Sequence, residues 1–180
     1  MTPSVATEVP ADVRTRLALV LDVDDLDEAA ALAARLSPWF GVAKVGLELF
    51  SAAGPGAVER LRALGFDVFL DVKLHDIPAT VGRAATVLGR LGVSYLTIHT
   101  SGGTPMLRAG VEGLLAGAAS AGHEPPVALG VTVLTSDVDA PAACTFTQAK
   151  PPTEQRMPAI FDCREYRFIC GMACVLARSL

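Results

Sequence analysis

The sequence predicts an α/β fold in which short parallel strands alternate with helices. Apolar runs recur along residues 1–138, and segments rich in helix-forming residues separate them. The predicted strands are almost continuously apolar, which is typical of a parallel sheet covered by helices. Nearly every predicted strand also ends in a charged or hydroxyl-bearing residue. Together these three observations favour a barrel of alternating strands and helices.

Five strands are predicted, over residues 16–23, 42–49, 66–72, 94–99 and 127–134. Four helices are predicted between them, over residues 26–36, 56–64, 78–91 and 104–121. Asp24 or Asp25 suits the N-cap of the first helix. Gly65 suits the position just after the second helix, and Pro78 suits the first turn of the third. Thr104 is the predicted cap of the fourth helix.

Two architectures are compatible with this alternation, a doubly wound open sheet and a (β/α)8 barrel. An open sheet usually has a glycine-rich first turn, but the first turn here is DVDDLDE, which contains no glycine. A barrel instead gathers polar groups from the carboxyl ends of several strands. Such groups lie at or near the ends of all five predicted strands: Asp22, Lys44, Asp71, Lys73, His99 and Thr135. We therefore expect a (β/α)8 barrel fold.

Composition sets the broad class of protein. The chain has 180 residues, of which 51% are hydrophobic and 19% charged, so it suits one globular domain with a sizeable core. A net charge of −4 without clustered basic residues does not favour nucleic acid as a partner. Apolar runs are too short for a membrane span, and the first residues lack the pattern of a secretory signal. We expect a cytoplasmic protein.

The β-α pattern stops before the chain does. A complete barrel needs at least about 200 residues, and only five β-α units are clear, so we expect an incomplete barrel over residues 1–138. Residues 139–180 form a divergent tail that contains Pro-Pro and all four cysteines, whose spacing lacks the pairs of a zinc site. Within it we predict at most a strand fragment over 159–161 and a helix over 165–180. We hypothesise a change of reading frame near codon 140, which sequencing the gene would test.

The densest cluster of reactive side chains is the segment DVKLHDIP, residues 71–78. Strand alternation places Asp71 and Lys73 on the same face, with Asp76 in the loop that follows. Lys44 on the neighbouring strand could bind Asp71, and Asp22 adds a further carboxylate. A solvated ion pair at a strand end is the alternative interpretation. Because buried charges need paired partners, a row of them in a barrel mouth favours a functional site.

These residues also carry a family resemblance. The segments LDVDD, KVGLELF, FDVFLDVKLHDIPATV, IHTSGG and VTVLTS resemble orotidine 5′-phosphate decarboxylases of bacterial type, in order and over about residues 16–137. The resemblance implies a (β/α)8 barrel that forms a homodimer with active sites at the subunit interface. It also implies decarboxylation of orotidine 5′-monophosphate to UMP, the last step of pyrimidine synthesis, with no metal or organic cofactor.

The resemblance assigns a role to each charged residue. Asp22 is expected to contact the ribose hydroxyls, and Lys44 to link the ribose to the charged network. Asp71 is expected beside the substrate carboxylate. Lys73 is expected to deliver a proton to C6 of the pyrimidine as carbon dioxide leaves.

Further groups are implied around the ring. Asp76, Ile77 and Thr80 are expected to reach into the site of the partner subunit. Thr135 and Ser136 are expected to face the pyrimidine.

The pocket mouth has weaker candidates. By the same resemblance, His99 and residues 101–103 line it. Gly102 and Gly103 could cradle an anion at the start of the fourth helix, although a plain tight turn is the simpler interpretation. His75 is predicted to be a loop or interface residue.

The resemblance has limits, which leave other functions open. The Pro-Gly-Ile-Arg and Ile-Gly-Arg segments that bind phosphate in the family do not occur in the sequence, so we expect this polypeptide on its own to be a poor or inactive decarboxylase. One alternative is a Mg²⁺-dependent sugar-phosphate decarboxylase or aldolase of the same suprafamily, against which Lys44 and Ile77-Pro78 argue. The other is a non-catalytic remnant, which could lend Asp76 to an intact subunit.

Overall fold

One parallel sheet organises the part of the chain that the structure describes. The structure is a computed structural model that describes residues 9–132 and 134, together with the backbone of Ala173–Leu176. The strands are β1 Leu17–Leu21, β2 Val42–Gly46, β3 Asp67–Leu74, β4 Tyr95–His99, β5 Val127–Val131 and β6 Ala173–Leu176. They lie in the order β5-β4-β3-β2-β1-β6. Every neighbouring pair is parallel.

Helices connect the strands in the alternation that the sequence predicts. They are α1 Ala11–Arg14, α2 Leu26–Leu36, α3 Leu47–Ala53, α4 Pro55–Ala63, α5 Pro78–Gly89 and α6 Gly103–Ser120, with a 3₁₀ turn at Thr100–Gly102. The predicted α/β class and the five strands before residue 139 are confirmed. None of the helices in the described ranges combines the length and apolarity needed to cross a membrane.

Local signals set several helix ends as predicted. Helix α2 has the predicted bounds, and its N-cap is Asp25, whose Oδ1 accepts a hydrogen bond from the Glu28 N–H at 2.8 Å. Gly65 follows α4 with a φ of 84°, a left-handed conformation that favours glycine. Pro78 opens α5, where its missing N–H costs no helical hydrogen bond.

Most predicted element ends shift by one to three residues, and two local predictions are wrong. Residues 47–49 were expected to continue the second strand, but they begin α3, because the chain turns after the extended Gly46. Thr104 was expected to cap the fourth helix, but α6 begins at Gly103 with Gly102 as its N-cap and makes no side-chain cap hydrogen bond. The 3₁₀ turn at Thr100–Gly102 leads directly into α6, so Thr104 already lies inside its first turn.

The tail prediction needs one correction. A helix was expected over residues 165–180, but Ala173–Leu176 form β6, which pairs with β1 from Leu17 to Val20. A short apolar run that includes a β-branched valine suits a strand, and the pairing satisfies backbone groups on the open side of β1. The strand fragment predicted over 159–161 lies outside the described residues. The boundary near residue 138 stays a prediction.

The two faces of the sheet bury different clusters. The main core lies between the sheet and the helices and includes Leu19, Val45 and Leu70. On the opposite face, Ala18, Val42, Phe69 and Leu129 form a smaller apolar cluster, against which Tyr95 and Val127 pack. Side chains two residues further along the strands share this second face. Apolar Val42 and Phe69 are thus followed by charged Lys44 and Asp71 toward the carboxyl ends.

Helices α5 and α6 approach each other closely through glycines. A Cβ atom on Gly113 would overlap the carbonyl oxygen of Gly82, and one on Gly117 would overlap that of Thr86. Because both contacts are with backbone, no side-chain movement can relieve them. This packing fixes the two helices that follow β3 and β4, the strands that carry most of the site.

Candidate active site

Four charged side chains from three neighbouring strands meet at the carboxyl end of the sheet. Lys73 Nζ lies 2.9 Å from Asp71 Oδ2, and Lys44 Nζ lies 3.5 Å from the same oxygen. Lys44 Nζ also lies 3.6 Å from Asp22 Oδ1, just beyond β1. The side chains of Asp71 and Lys44 are only 13% and 15% exposed, whereas that of Asp22 is 42% exposed. We refer to these four residues as the charged network.

Asp71 is the centre of this network. Burial alone would raise the pKa of its carboxyl group. The hydrogen bond and charge of Lys73, the charge of Lys44 and the hydrogen bond from Thr97 outweigh that effect, so the pKa lies below its ordinary value of 3.8. The carboxylate is therefore held ionised between two ammonium groups.

The backbone at Lys73 departs from a regular strand. Lys73 has a φ of 49°, the one positive φ of a non-glycine residue in the described ranges. The pairing of β3 with β4 shifts register here, since Leu70 pairs with Leu96 and Leu74 pairs with Ile98. The predicted contact between Asp71 and Lys73 exists, but a bulged strand produces it rather than simple alternation.

Thr97 on β4 contacts β3 at the position of this register shift. It is fully buried, and it is the one buried polar side chain among the residues that the structure describes. Its hydroxyl oxygen accepts a hydrogen bond from the Lys73 N–H at 2.9 Å. The same hydroxyl donates to Asp71 Oδ1 at 3.0 Å. One side chain thus contacts both residues of the central ion pair.

Two histidines lie beside the network. The rings of His75 and His99 are 5.3 Å apart. Burial lowers the pKa of His99, and the nearby charges of His75 and Lys73 lower it further. The negative charge of Asp71 raises the pKa but offsets only part of this shift. His99 at the end of β4 is therefore favoured as the neutral imidazole, next to the charged network.

Three predicted residues lie apart from the network within one chain. Asp76 is exposed, and its Oδ1 accepts a hydrogen bond from the Ile77 N–H at 2.6 Å. Ile77 is 66% exposed, an unusual value for a large apolar side chain. Thr80 is half-buried in the first turn of α5. The remaining predicted pair, Thr135 and Ser136, lies outside the described residues.

Sequence reasoning missed two residues of the site. A Cβ atom on Gly46 would lie 3.3 Å from Asp22 Oδ1 and 3.7 Å from Lys44 Nζ, so glycine leaves room for that ion pair. Thr97 was missed as well. A signal for it existed, because it is the one threonine in the strand YLTIH and stands two residues before His99, hence on the same face.

The charged network lies apart from an open surface cleft. An open cleft of about 820 Å³ lies at the amino ends of β3, β4 and β5, between Asp67, Ser94 and Val127. Two of its polar lining residues bind each other, since Ser94 Oγ donates to Asp67 Oδ1 at 3.0 Å. No group of three or more potential metal ligands occurs in the described part of the chain.

The fold and the site together define a class of protein. Charged side chains at the carboxyl ends of parallel strands, with helices as connections, are the arrangement of a β/α enzyme domain. The particular family follows from a family model that matches residues 15–154, described as the orotidine 5′-phosphate decarboxylase / HUMPS family. The chain belongs to this family.

Individual relatives agree with the family match. The chain is 44% identical over 125 residues to the orotidine 5′-phosphate decarboxylase of Heliobacterium modesticaldum, an alignment that covers 69% of this chain and 51% of the relative. It is 47% identical over 123 residues to that of Moorella thermoacetica, covering 68% and 49%. The chain thus spans about half the length of these curated relatives.

A solved structure supports the fold. The orotidine 5′-phosphate decarboxylase of Lactobacillus acidophilus superimposes with a TM-score of 0.64 at 35% identity, covering 77% of this chain and 61% of that one. The predicted relation to (β/α)8 barrel proteins of this family is confirmed. The described sheet corresponds to part of such a barrel.

Proposed function

We propose that the charged network serves the decarboxylation of orotidine 5′-monophosphate to UMP, the last step of pyrimidine synthesis. Relatives of this chain carry the name of that activity. The observation that carries the proposal is the pair of ammonium groups on one carboxylate, with Lys73 Nζ at 2.9 Å and Lys44 Nζ at 3.5 Å from Asp71 Oδ2. Such a site can hold a fixed positive charge against a carbanion.

The chemistry needs one proton and one electron pair. The bond between C6 of the pyrimidine and its carboxylate carbon breaks, carbon dioxide leaves, and the electron pair stays on C6. The Lys73 ammonium stabilises that negative charge and then transfers a proton to C6, giving UMP. Lys73 regains its proton from solvent, so the site needs no oxidant, reductant or metal.

The neighbouring residues hold this ammonium in place. Asp71 accepts the Lys73 hydrogen bond and lies where the substrate carboxylate approaches. Lys44 shares the Asp71 carboxylate and carries the network to Asp22. The Asp22 side chain is exposed enough to accept hydrogen bonds from the ribose hydroxyls.

We further propose that a second copy of the chain completes the site. Asp76 and Ile77 are exposed and lie outside the network of their own chain. In a homodimer, Asp76, Ile77 and Thr80 of each copy would reach the other copy's site, while Thr135 and Ser136 would face the pyrimidine. We place this reaction in the cytoplasm.

Two other functions compete with this one. A Mg²⁺-dependent sugar-phosphate decarboxylase or aldolase would share the D-x-K-x-x-D pattern of Asp71, Lys73 and Asp76. Lys44 argues against it, since an ammonium 3.5 Å from Asp71 competes with a cation for that carboxylate. A non-catalytic chain that lends Asp76 to an intact subunit is the other candidate, favoured by the exposure of Asp76 and Ile77.

One experiment separates the three functions. The purified chain is incubated with orotidine 5′-monophosphate, with and without EDTA, and UMP is quantified; parallel samples contain a sugar phosphate, with and without Mg²⁺. UMP formation that EDTA leaves unchanged supports the proposed function. Turnover of a sugar phosphate that requires Mg²⁺ supports the second. No turnover by the chain alone supports the third, provided that activity returns when it is mixed with an intact relative whose residue aligned with Asp76 has been replaced.

A further inference from the structure

We propose that Thr97 is a positioning residue whose single hydroxyl sets the geometry of the Asp71–Lys73 pair. The hydroxyl accepts a hydrogen bond from the Lys73 N–H at 2.9 Å and donates one to Asp71 Oδ1 at 3.0 Å. It thereby orients the carboxylate and anchors the backbone that carries the ammonium. The consequence for catalysis rests on the proposed function, whereas the positioning itself does not.

The backbone of Lys73 supplies the first argument. A positive φ at a non-glycine residue costs free energy and persists only where surrounding contacts hold it. The register shift between Leu70 and Leu74 deprives this stretch of regular pairing with β4. The Lys73 N–H donates instead to a side chain, and that side chain is Thr97. The hydroxyl therefore replaces a strand hydrogen bond at the position where the strand bulges.

The carboxylate supplies the second argument. Lys44 and Lys73 both contact Asp71 Oδ2, so those ion pairs leave Oδ1 to other partners. Thr97 donates to Oδ1, which fixes the plane of the carboxylate from the opposite side. That hydrogen bond also helps to lower the pKa of Asp71 against the opposing effect of burial, although it contributes less than the two lysines do.

The burial of Thr97 supplies the third argument. Its neighbours along the strand, Leu96 and Ile98, are apolar, and a buried hydroxyl costs free energy unless it is hydrogen-bonded. Valine would fill the same volume without that requirement. A threonine that is fully enclosed and uses its hydroxyl both as acceptor and as donor is thus explained by the ion pair that it serves.

The test compares Thr97→Val, which keeps the shape and removes the hydroxyl, with Thr97→Ser, which keeps the hydroxyl. The full chain is labelled for NMR, and two quantities are measured: hydrogen exchange of the Lys73 amide and titration of the Asp71 carboxyl. We expect Thr97→Val to speed exchange of that amide and to raise the pKa of Asp71 toward its ordinary value. Thr97→Ser should return both quantities close to those of the parent.

A matched control lies at the other end of the same two strands. Ser94 Oγ donates to Asp67 Oδ1 at 3.0 Å, so Ser94→Ala removes a hydroxyl–carboxylate hydrogen bond between β3 and β4 without touching the network. It should leave the Lys73 amide and the Asp71 titration unchanged. Where turnover is measurable, Thr97→Val should lower kcat by about 10- to 100-fold with little change in KM, as expected for a misplaced reacting group.

A pH titration of the parent chain, followed by NMR, tests the proposal without any substitution. The Lys73 amide and the Thr97 methyl resonances should shift with the same midpoint as the Asp71 carboxyl. Independent midpoints, or a folded Thr97→Val chain with parental exchange and titration, would overturn the proposal. Coupled midpoints in a chain that forms no UMP would uphold the positioning role and instead count against the proposed function.

Discussion

The carboxylate of Asp71 lies between the ammonium groups of Lys73 and Lys44, at 2.9 Å and 3.5 Å from the same oxygen. This arrangement joins strands β2 and β3 in a largely buried setting. The Asp71 carboxylate offsets the repulsion between the two ammonium groups, and Asp22 is a further partner of Lys44. Removal of the Asp71 charge would leave two partly buried ammonium groups in mutual repulsion.

Asp71→Asn should therefore destabilise the chain as well as impair its chemistry. We expect a loss of about 1–2 kcal/mol in the free energy of unfolding, a moderate value because the Lys73 side chain is partly exposed to solvent. Urea denaturation of the parent and the variant measures it. Asp67→Asn, in the exposed hydrogen bond at the opposite end of β3, serves as control and should cost less than about 0.5 kcal/mol. Equal losses for the two variants would argue against a special role for Asp71.

The contact between α5 and α6 predicts a large effect from a small substitution. Gly117→Ala should lower the free energy of unfolding by about 1–3 kcal/mol, because the new Cβ would meet the Thr86 carbonyl and force the helices apart. Gly56→Ala is the control, since a Cβ there meets only Leu26 Cδ2 at 3.9 Å. The control should be neutral or stabilise by up to about 1 kcal/mol. Thermal or urea unfolding that ranks the two variants in the opposite order would refute the packing account.

The lowered pKa of His99 predicts how the free energy of unfolding depends on pH. Its folded pKa lies below the ordinary 6.5, so below that pH the unfolded chain binds the proton more readily than the folded chain. The free energy of unfolding should therefore fall as the pH is lowered through 6.5 toward the folded pKa. His99→Gln should flatten this part of the profile, measured by denaturation from about pH 8 to about pH 5. His123→Gln, at the far end of the sheet, is the control, and an equal flattening there would contradict the assignment.

Much of the architecture could be predicted because local signals and burial agree. Helix α2 has its predicted bounds since Asp25, a helix-forming sequence and an amphipathic pattern all indicate the same segment. Asp71 and Lys73 could be paired from spacing alone, and Lys44 from the order of the strands. Regular strand geometry was enough to predict these partners, although the Asp71–Lys73 contact is made by a bulged strand.

The remaining features depend on contacts that no local pattern encodes. The bulge at Lys73 and its hydrogen bond to Thr97 join residues 24 positions apart. Helix α3 follows a strand whose apolar pattern continues into it, so composition could not mark the boundary at Gly46. The pairing of β6 with β1 joins two distant parts of the chain, and a four-residue apolar run fits a helix or a strand equally well.

The role of Lys73 is tested most directly by the rate at which purified chain converts orotidine 5′-monophosphate to UMP, compared with the rate of a folded Lys73→Ala variant. We expect the parent to convert the substrate clearly faster than the variant, which should retain only background conversion. Equal rates from two well-folded samples would contradict the assignment of the charged network to this reaction.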